Sequence, residues 1–318
     1  MEEITVGLFT YQRPNYLKRH LQFLKDLSYN FRLIILDGSH DKDLQGINEQ
    51  IAKSYKLEYY HKIDMKERHT FFLEKLDTEF AAWSADDDCI VPSFYINAAK
   101  FLNDNNAYSV VTGKLYTFHD WHIHGKKGYF LRNFLGNYYD IHMGDFAEKI
   151  IRKDQAYAMG CPNTYYGVRR SDNIKLFCKH FNDLKLYSSI ERLENICNLL
   201  LGGIKVIDTL MGFRDYSSEP IREAHRDDPD VYISQKDTDV LSDIISAELS
   251  GKCSKEMLKY YESYAWPLPL RPAQNRVGDP YTKISKIESL INLNFAHYFH
   301  DFDKDVTKAL RNAVTNFK

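Results

Sequence analysis

Three carboxylates in succession, Asp86-Asp87-Asp88, follow the apolar run Glu79 to Ser84 and precede Pro92. Adjacent carboxylates repel one another, so the triplet is costly unless a cation or a basic partner offsets it. Hard oxygen ligands of this kind suit Mg²⁺ or Mn²⁺, which can bridge a diphosphate. The bland reading is a solvated acidic turn ahead of a helix opened by Pro92. An EF-hand is ruled out, because the glycine and distal glutamate of that loop are missing. A further carboxylate stands in Asp37-Gly38-Ser39, after the apolar run Phe31 to Leu36. It could accept a hydrogen bond from a base N–H or a ribose hydroxyl, or it could simply close a strand-to-loop turn, where Asp-Gly is common.

The elements around these residues alternate. Ile4 to Thr10 reads as a buried strand that breaks at Tyr11-Gln12-Arg13-Pro14, and Leu17, Leu21, Leu24 and Leu27 then recur at helical spacing. A strand to Leu36, a helix over 44–55, a strand from Leu57 to Tyr60, a helix over 68–77, the strand Glu79 to Ser84 and a helix from Pro92 continue the pattern of a mostly parallel sheet covered by helices. The loops after the first, second and fourth strands would then meet along one sheet edge, where open α/β sheets bind ligands. Further on, Ser109 to Phe118 reads as a strand and 119–167 as irregular. His122 and His124 in that stretch would share a face of an extended chain. With Trp121, Tyr129 and Phe130 beside them they read as a sugar-stacking surface or a packed loop more readily than as a metal pair. A strand over Thr164 to Arg169, helices over 171–181 and 188–201 and a strand over Ile204 to Asp208 follow. Beyond 225 the sequence predicts only helices, over 237–250, 254–264 and 283–299, broken by Trp266-Pro267-Leu268-Pro269.

Length and composition bound the function. The 318 residues allow one large domain with an appendage or two small ones, and 42 basic against 44 acidic residues leave a net charge of −2, which disfavours nucleic acid as a partner. With 23 Tyr and 19 Phe the chain is too aromatic to be disordered. Its five cysteines show no zinc-like spacing and fit a reducing compartment. The acidic start MEEITVGLFT lacks the basic residues of a secretory signal, and no run approaches the ~18 apolar residues of a membrane span. A cytoplasmic location is expected, with surface association with the inner face of a membrane left open.

The order of a strand then TYxRPxYL, a strand then DGS, and a strand then DDDxxxP resembles the inverting nucleotide-sugar glycosyltransferases of family 2, and within them a bacterial branch marked by ADDDxIVP. The resemblance covers residues 4 to about 115 well and 160–225 loosely. It implies an α/β GT-A fold over 1–225, with a nucleotide-sugar-binding half (1–115), an acceptor half (116–225) and a helical extension over 226–318. It implies a UDP-sugar donor contacted by Thr10, Tyr11, Arg13 and Asp37, and a metal, Mn²⁺ or Mg²⁺, and diphosphate held by Asp86, Asp87 and Asp88. Ala85 replaces the usual first aspartate, so which carboxylates touch the metal stays open. The family's general base falls on Glu191 or Glu194, which lie on one helical face at i,i+3. A late loop supplies Arg222 for the diphosphate and His225 for the metal shell. Arg68 and Lys75, just before the aspartate strand, are further phosphate or base contacts. The implied acceptor is a surface polysaccharide or another glycan, and the C-terminal helices could serve dimerisation or a membrane-bound acceptor.

Two other functions compete. A sugar-1-phosphate nucleotidyltransferase has a similar sheet but opens with a Gly-rich phosphate loop, and Tyr11-Gln12-Arg13-Pro14 has no glycine. A non-catalytic nucleotide-sugar binding module would fit the replacement of the family's Glu-Asp pair by Glu191-Arg192.

Overall fold

A computed structural model describes residues 4–123, 126–133, 164–184, 200–215 and 303–315, with Leu193, Glu194, Cys197, Asn198, Val240, Leu241, Asp243, Ile244, Ala247 and Glu248. The expected alternation is present. The first half runs β1 (Ile4–Thr10), α1 (Pro14–Asp26), β2 (Arg32–Asp37), α2 (Lys42–Ser54), β3 (Glu58–His61), α3 (Met65–Glu74) and β4 (Phe80–Ala85). A short β5 (Asp88–Ile90) leads into α4 (Pro92–Asp104), and Pro14 and Pro92 each occupy the first turn of their helix. Then come β6 (Tyr108–Ile123), β7 (Lys126–Asn133), β8 (Val168–Arg170), α5 (Ser171–Phe181), β9 (Gly203–Asp215) and α6 (Lys304–Thr315).

The strands form one nine-stranded sheet in the order β3-β2-β1-β4-β8-β6-β9-β5, with β7 paired to β6. Strands β1 to β4 are all parallel, whereas β8, β5 and β7 pair antiparallel to their neighbours. Both faces are covered, which is why β1 and β2 read as continuous apolar runs rather than alternating ones. Ile4, Val6 and Leu8 of β1 pack with Leu17, Leu21 and Leu24 of α1 on one face. Phe9, Ile34, Leu36 and Trp83 pack with Phe72 of α3 and Phe177 of α5 on the other.

Four expectations change. The strand expected over Ser109 to Phe118 continues to Ile123 and pairs with β7 inside the stretch read as irregular, because His, Lys and Asp carry much of the alternation there and give no apolar period. The strand expected to end at Asp208 continues to Asp215, held by pairing to β6 with register shifts. Thr164 to Arg169 divides into a 3₁₀ turn, Thr164–Tyr166, and the short β8. Helix α6 was not expected, although Val306, Leu310 and Ala313 recur at i, i+4 and i+7; these residues are buried in the same apolar layer as α1, and Asn312 bonds Asp26 at 3.2 Å. Described residues of 193–201 and 240–248 are helical as expected. The helices expected over 254–264 and 283–299, the boundary at 225 and His124 lie outside the described residues.

Candidate functional site

Parallel pairing sets the heights of the strand ends. Thr10 is level with Asp37, Asp37 with His61, and Phe9 with Ala85, so the turns after β1, β2 and β4 open on one edge of the sheet. Backbone hydrogen bonds stitch them together: Gly38 N–H donates to the Thr10 carbonyl at 3.0 Å and Asp86 N–H to the Phe9 carbonyl at 3.0 Å.

The loop after β1 divides between its neighbours. Gln12 has a φ of 53°, in the left-handed region that non-glycine residues rarely adopt. Its N–H donates to Ser39 Oγ (2.8 Å) and its side-chain oxygen accepts from Asp41 N–H (3.1 Å), while the Tyr11 ring meets His40 edge-on at 5.7 Å. Arg13 instead turns to the aspartates. Its guanidinium is bonded to Asp86 Oδ1 and, at 2.9 Å, to Asp87 Oδ2, and Thr10 Oγ1 donates to Asp86 Oδ2 at 2.6 Å.

Asp37 is buried and its carboxylate accepts four hydrogen bonds. Ser39 N–H (2.8 Å) and Ser39 Oγ (2.6 Å) reach Oδ1, and Asn48 Nδ2 (3.0 Å) and the Tyr59 hydroxyl (2.6 Å) reach Oδ2. That set matches the roughly four lone-pair sites of a carboxylate. Asp37 therefore shapes its loop. Beneath it, the Arg68 guanidinium lies flat against Gly38, where a Cβ would come within 2.5 Å of the guanidinium carbon, and donates to the Thr10 carbonyl at 3.3 Å. Any side chain at position 38 would have to push that guanidinium aside.

The aspartate turn is held from α1. Arg19, with 2% of its side chain exposed, donates to the Asp87 carbonyl at 2.5 Å and pairs with Asp215 Oδ2 at 2.5 Å, tying the turn to the end of β9. The Tyr16 ring lies 5.3 Å from the Arg13 guanidinium and 4.8 Å from that of Arg19. His20 Nδ1 donates to the Ala85 carbonyl at 3.2 Å; burial lowers its pKa to about 3, so the ring is neutral. Burial alone would lower the Arg13 pKa, but Asp86 and Asp87 outweigh it and raise it. Burial pushes the Asp86 carboxyl up to about 6 against the pull of Arg13; because guanidinium stays protonated, the pair is charged at neutral pH. Asp88 is driven up to about 7, first by burial and then by Asp87. Neither Asp88 oxygen has a well-formed hydrogen bond, although the charge of Arg214 and the hydroxyl of Tyr166 act on it.

Among the described residues no group of three or more His, Cys, Asp or Glu is preassembled around a metal position. The donor set nevertheless fits a hard divalent cation, since Asp86 and Asp87 already bracket one positive charge, the Arg13 guanidinium, and two buried oxygens of Asp88 stand behind them without well-formed bonds.

Other expected site residues fare differently. Lys75 is not brought to this edge. Helix α3 descends from the strand ends, so Arg68 near its start meets the loops, whereas Lys75 caps the far end, its carbonyl bonded to Arg32 at the opposite end of β2. Glu194 is 2% exposed and its carboxylate is paired with Arg169, whose guanidinium stacks 4.3 Å from the Trp83 ring and donates to the Thr164, Tyr165 and Gly167 carbonyls. This buried pair fastens β8 to the helix that carries Glu194. Glu191, Arg222 and His225 lie outside the described residues. Arg19, Tyr16, His20 and Asp215 were not anticipated. The signal available was Arg19-His20 lying between Leu17 and Leu21, polar groups on the buried face of an apolar-periodic helix.

No protein-family model matches the sequence, and no curated protein matches it in sequence. Solved structures match in fold. The 1–349 fragment of S. aureus TarS in complex with UDP-GlcNAc aligns with a TM-score of 0.57 at 16% identity, covering 100% of this chain and 82% of that one. The same fragment in complex with UDP gives 0.54 at 15% identity over 100% and 80%. A longer S. aureus TarS structure gives 0.51 at 14% identity, and this chain spans only 48% of it. No helix among the described residues is long and apolar enough to cross a membrane. At these identities the likeness is one of architecture, and with the edge geometry above it gives this chain a GT-A fold.

Proposed function

We propose that the protein is a metal-assisted inverting glycosyltransferase of the family-2 type, moving a sugar from a nucleotide-sugar donor, a UDP-sugar in first place, to a glycan acceptor in surface-polysaccharide assembly. The observation that carries this reading is the convergence of three loops on one edge of a GT-A sheet, with an aspartate turn that brackets a positive charge. The UDP-GlcNAc and UDP complexes of the TarS fragment support the choice of donor.

In this reading the loops at Tyr11 and Ser39 receive the nucleoside, Thr10 and Arg68 keep the loop backbones in place, and Arg13 supplies a fork suited to phosphate oxygens. A divalent cation held by Asp86 and Asp87, backed by Asp88, would supply charge neutralisation to the departing diphosphate. A general base must take the acceptor proton as its oxygen attacks the anomeric carbon from the face opposite the diphosphate. Glu194 is committed to Arg169, so Glu191 is the base to test. The family resemblance assigns Arg222 to the diphosphate and His225 to the metal shell, and the reading keeps those roles.

Thermal unfolding with UDP, GDP, CDP and UTP, each with and without Mn²⁺, tests the reading, since a ligand that binds only the native state raises its apparent stability. UDP with Mn²⁺ is expected to give the largest rise, and Asp87→Ala to remove the Mn²⁺-dependent part. A preference for the triphosphate would favour the nucleotidyltransferase, and no rise with any nucleotide would remove the proposal.

A further inference from the structure

We propose that Arg13 is a built-in, exchangeable counter-cation of the aspartate turn, and that its release from Asp87 couples metal binding to diphosphate binding. The inference rests on the metal and donor reading above and concerns how the protein behaves before the donor arrives.

Two guanidinium groups contact the turn, and they are built for different tasks. Arg19 has 2% of its side chain exposed, and its partners are a backbone carbonyl and the carboxylate of Asp215 on another strand. Removing it would break a buried ion pair, so it is a fixed part of the fold. Arg13 has 15% of its side chain exposed, and the partners of its two terminal nitrogens are side-chain oxygens of Asp86 and Asp87. It sits at the N-cap of α1, just after the left-handed Gln12, where the chain enters the helix without a side-chain cap. Asp87, its outer partner, is 25% exposed and so is reachable from solvent.

The physical consequence is a competition. Without ligand, Arg13 offsets the repulsion between two adjacent carboxylates, one of them buried, and keeps the turn in shape. A divalent cation seeking the same oxygens must displace the guanidinium, which loses a charge-assisted bond and gains nothing if no anion is present. With a diphosphate present, the displaced fork has an acceptor of matching geometry. Metal and diphosphate therefore bind with positive coupling, each improving the affinity of the other by the same factor. The coupling resides in Arg13.

Calorimetric titration of Mn²⁺ alone into the wild type, Arg13→Gln, Arg13→Lys and the Arg13→Gln/Asp87→Asn double variant tests this, followed by the same titrations with saturating UDP. Arg13→Gln is expected to bind Mn²⁺ alone about tenfold more tightly than wild type, the scale of one charge-assisted hydrogen bond no longer opposing the ion. Arg13→Lys, with one contact in place of a fork, is expected to fall between them, and it carries the comparison if the glutamine variant does not fold. Asp87→Asn in the Arg13→Gln background should cancel the gain, and the improvement that UDP makes to wild-type Mn²⁺ affinity should shrink in Arg13→Gln. Unchanged or weaker Mn²⁺ binding in both Arg13 variants overturns the inference. Tighter Mn²⁺ binding in the variants with no nucleoside diphosphate bound by any form would instead uphold Arg13 as the competitor and defeat the donor reading.

Discussion

Asp37 and Asp86 sit at the same edge, at the ends of the strands either side of β1, yet they are kept in place by different parts of the chain. Asp37 draws its four donors from Ser39, Asn48 and Tyr59, all within 22 residues. Asp86 and its turn are held by Thr10, Arg13 and Arg19, at least 68 residues earlier, and through Arg19 by Asp215, 196 residues from that arginine. The carboxylate of the first turn is satisfied by neutral donors from nearby in the chain. The second is offset by the Arg13 guanidinium, anchored through Arg19, and depends on the whole sheet being assembled. A ligand-binding edge of this kind pairs a stiff, locally made wall with a wall whose charge can be redistributed when an ion or an anion enters.

The sharpest way to break the comparison is to remove the long-range anchor. Arg19→Ala breaks the buried ion pair with Asp215, and urea unfolding is expected to show a loss of about 3–5 kcal/mol. Arg19→Met combined with Asp215→Leu should recover most of that loss, because two apolar residues leave no stranded charge. If Arg19→Ala costs no more than an exposed ion pair, roughly 0–1 kcal/mol, the anchor is not what holds the turn.

The local turn should fail less severely. Asp37→Ala leaves the Ser39, Asn48 and Tyr59 donors without their acceptor, an expected loss of about 2–3 kcal/mol in the same measurement. Since Asp37 and Arg19 share no partner, the two losses should add to within about 0.5 kcal/mol. A larger departure would mean that the Tyr11-Gln12-Arg13 loop transmits strain from one turn to the other.

The contrast also explains what could be read in advance. The strand ends and their turns were legible because β1, β2 and β4 are apolar runs that stop at Tyr11, Gly38 and Asp86, and Pro14 and Pro92 announce the helices. The need for positive charge at the aspartates was legible too, but its source was not. An arginine on a helix carries no mark of a partner nearly two hundred residues away. Strands β5 and the second half of β9 exist through pairing with each other and with β6, which local propensity does not report. Lys75 is near β4 in sequence, yet seven residues of helix separate it from Arg68 by about 10 Å along the axis, enough to leave the edge altogether. Glu194 had the spacing of an exposed pair with Glu191, and only the packed arrangement reveals Arg169 as its partner.

The smallest expected effect concerns the layer beneath the local wall. His69, next to Arg68 on α3, is fully buried, stacks on Phe9 at 4.5 Å and contacts Trp83, Phe177 and Phe181. Burial lowers its pKa to about 3; the hydrogen bond to the Met65 carbonyl opposes the shift, and the nearby Arg68 and Arg169 add to it. The unfolded chain returns His69 to its ordinary value of about 6.5. Below that pH the unfolded state gains a proton that the folded state refuses, so the contribution of this residue is complete above 6.5 and is lost as pH falls towards 3. The slope attributable to it approaches about 1.4 kcal/mol per pH unit once the unfolded histidine is mostly protonated. His69→Phe keeps an aromatic ring in the cluster and removes the titration. Between pH 6 and 4.5, a range of about one and a half units, its stability should therefore fall less steeply than that of the wild type by up to that slope. Parallel pH dependences for the two proteins would mean that His69 accepts its proton in the folded state, and that the layer under Arg68 admits a charge which its packing among Phe9, Trp83, Phe177 and Phe181 is built to exclude.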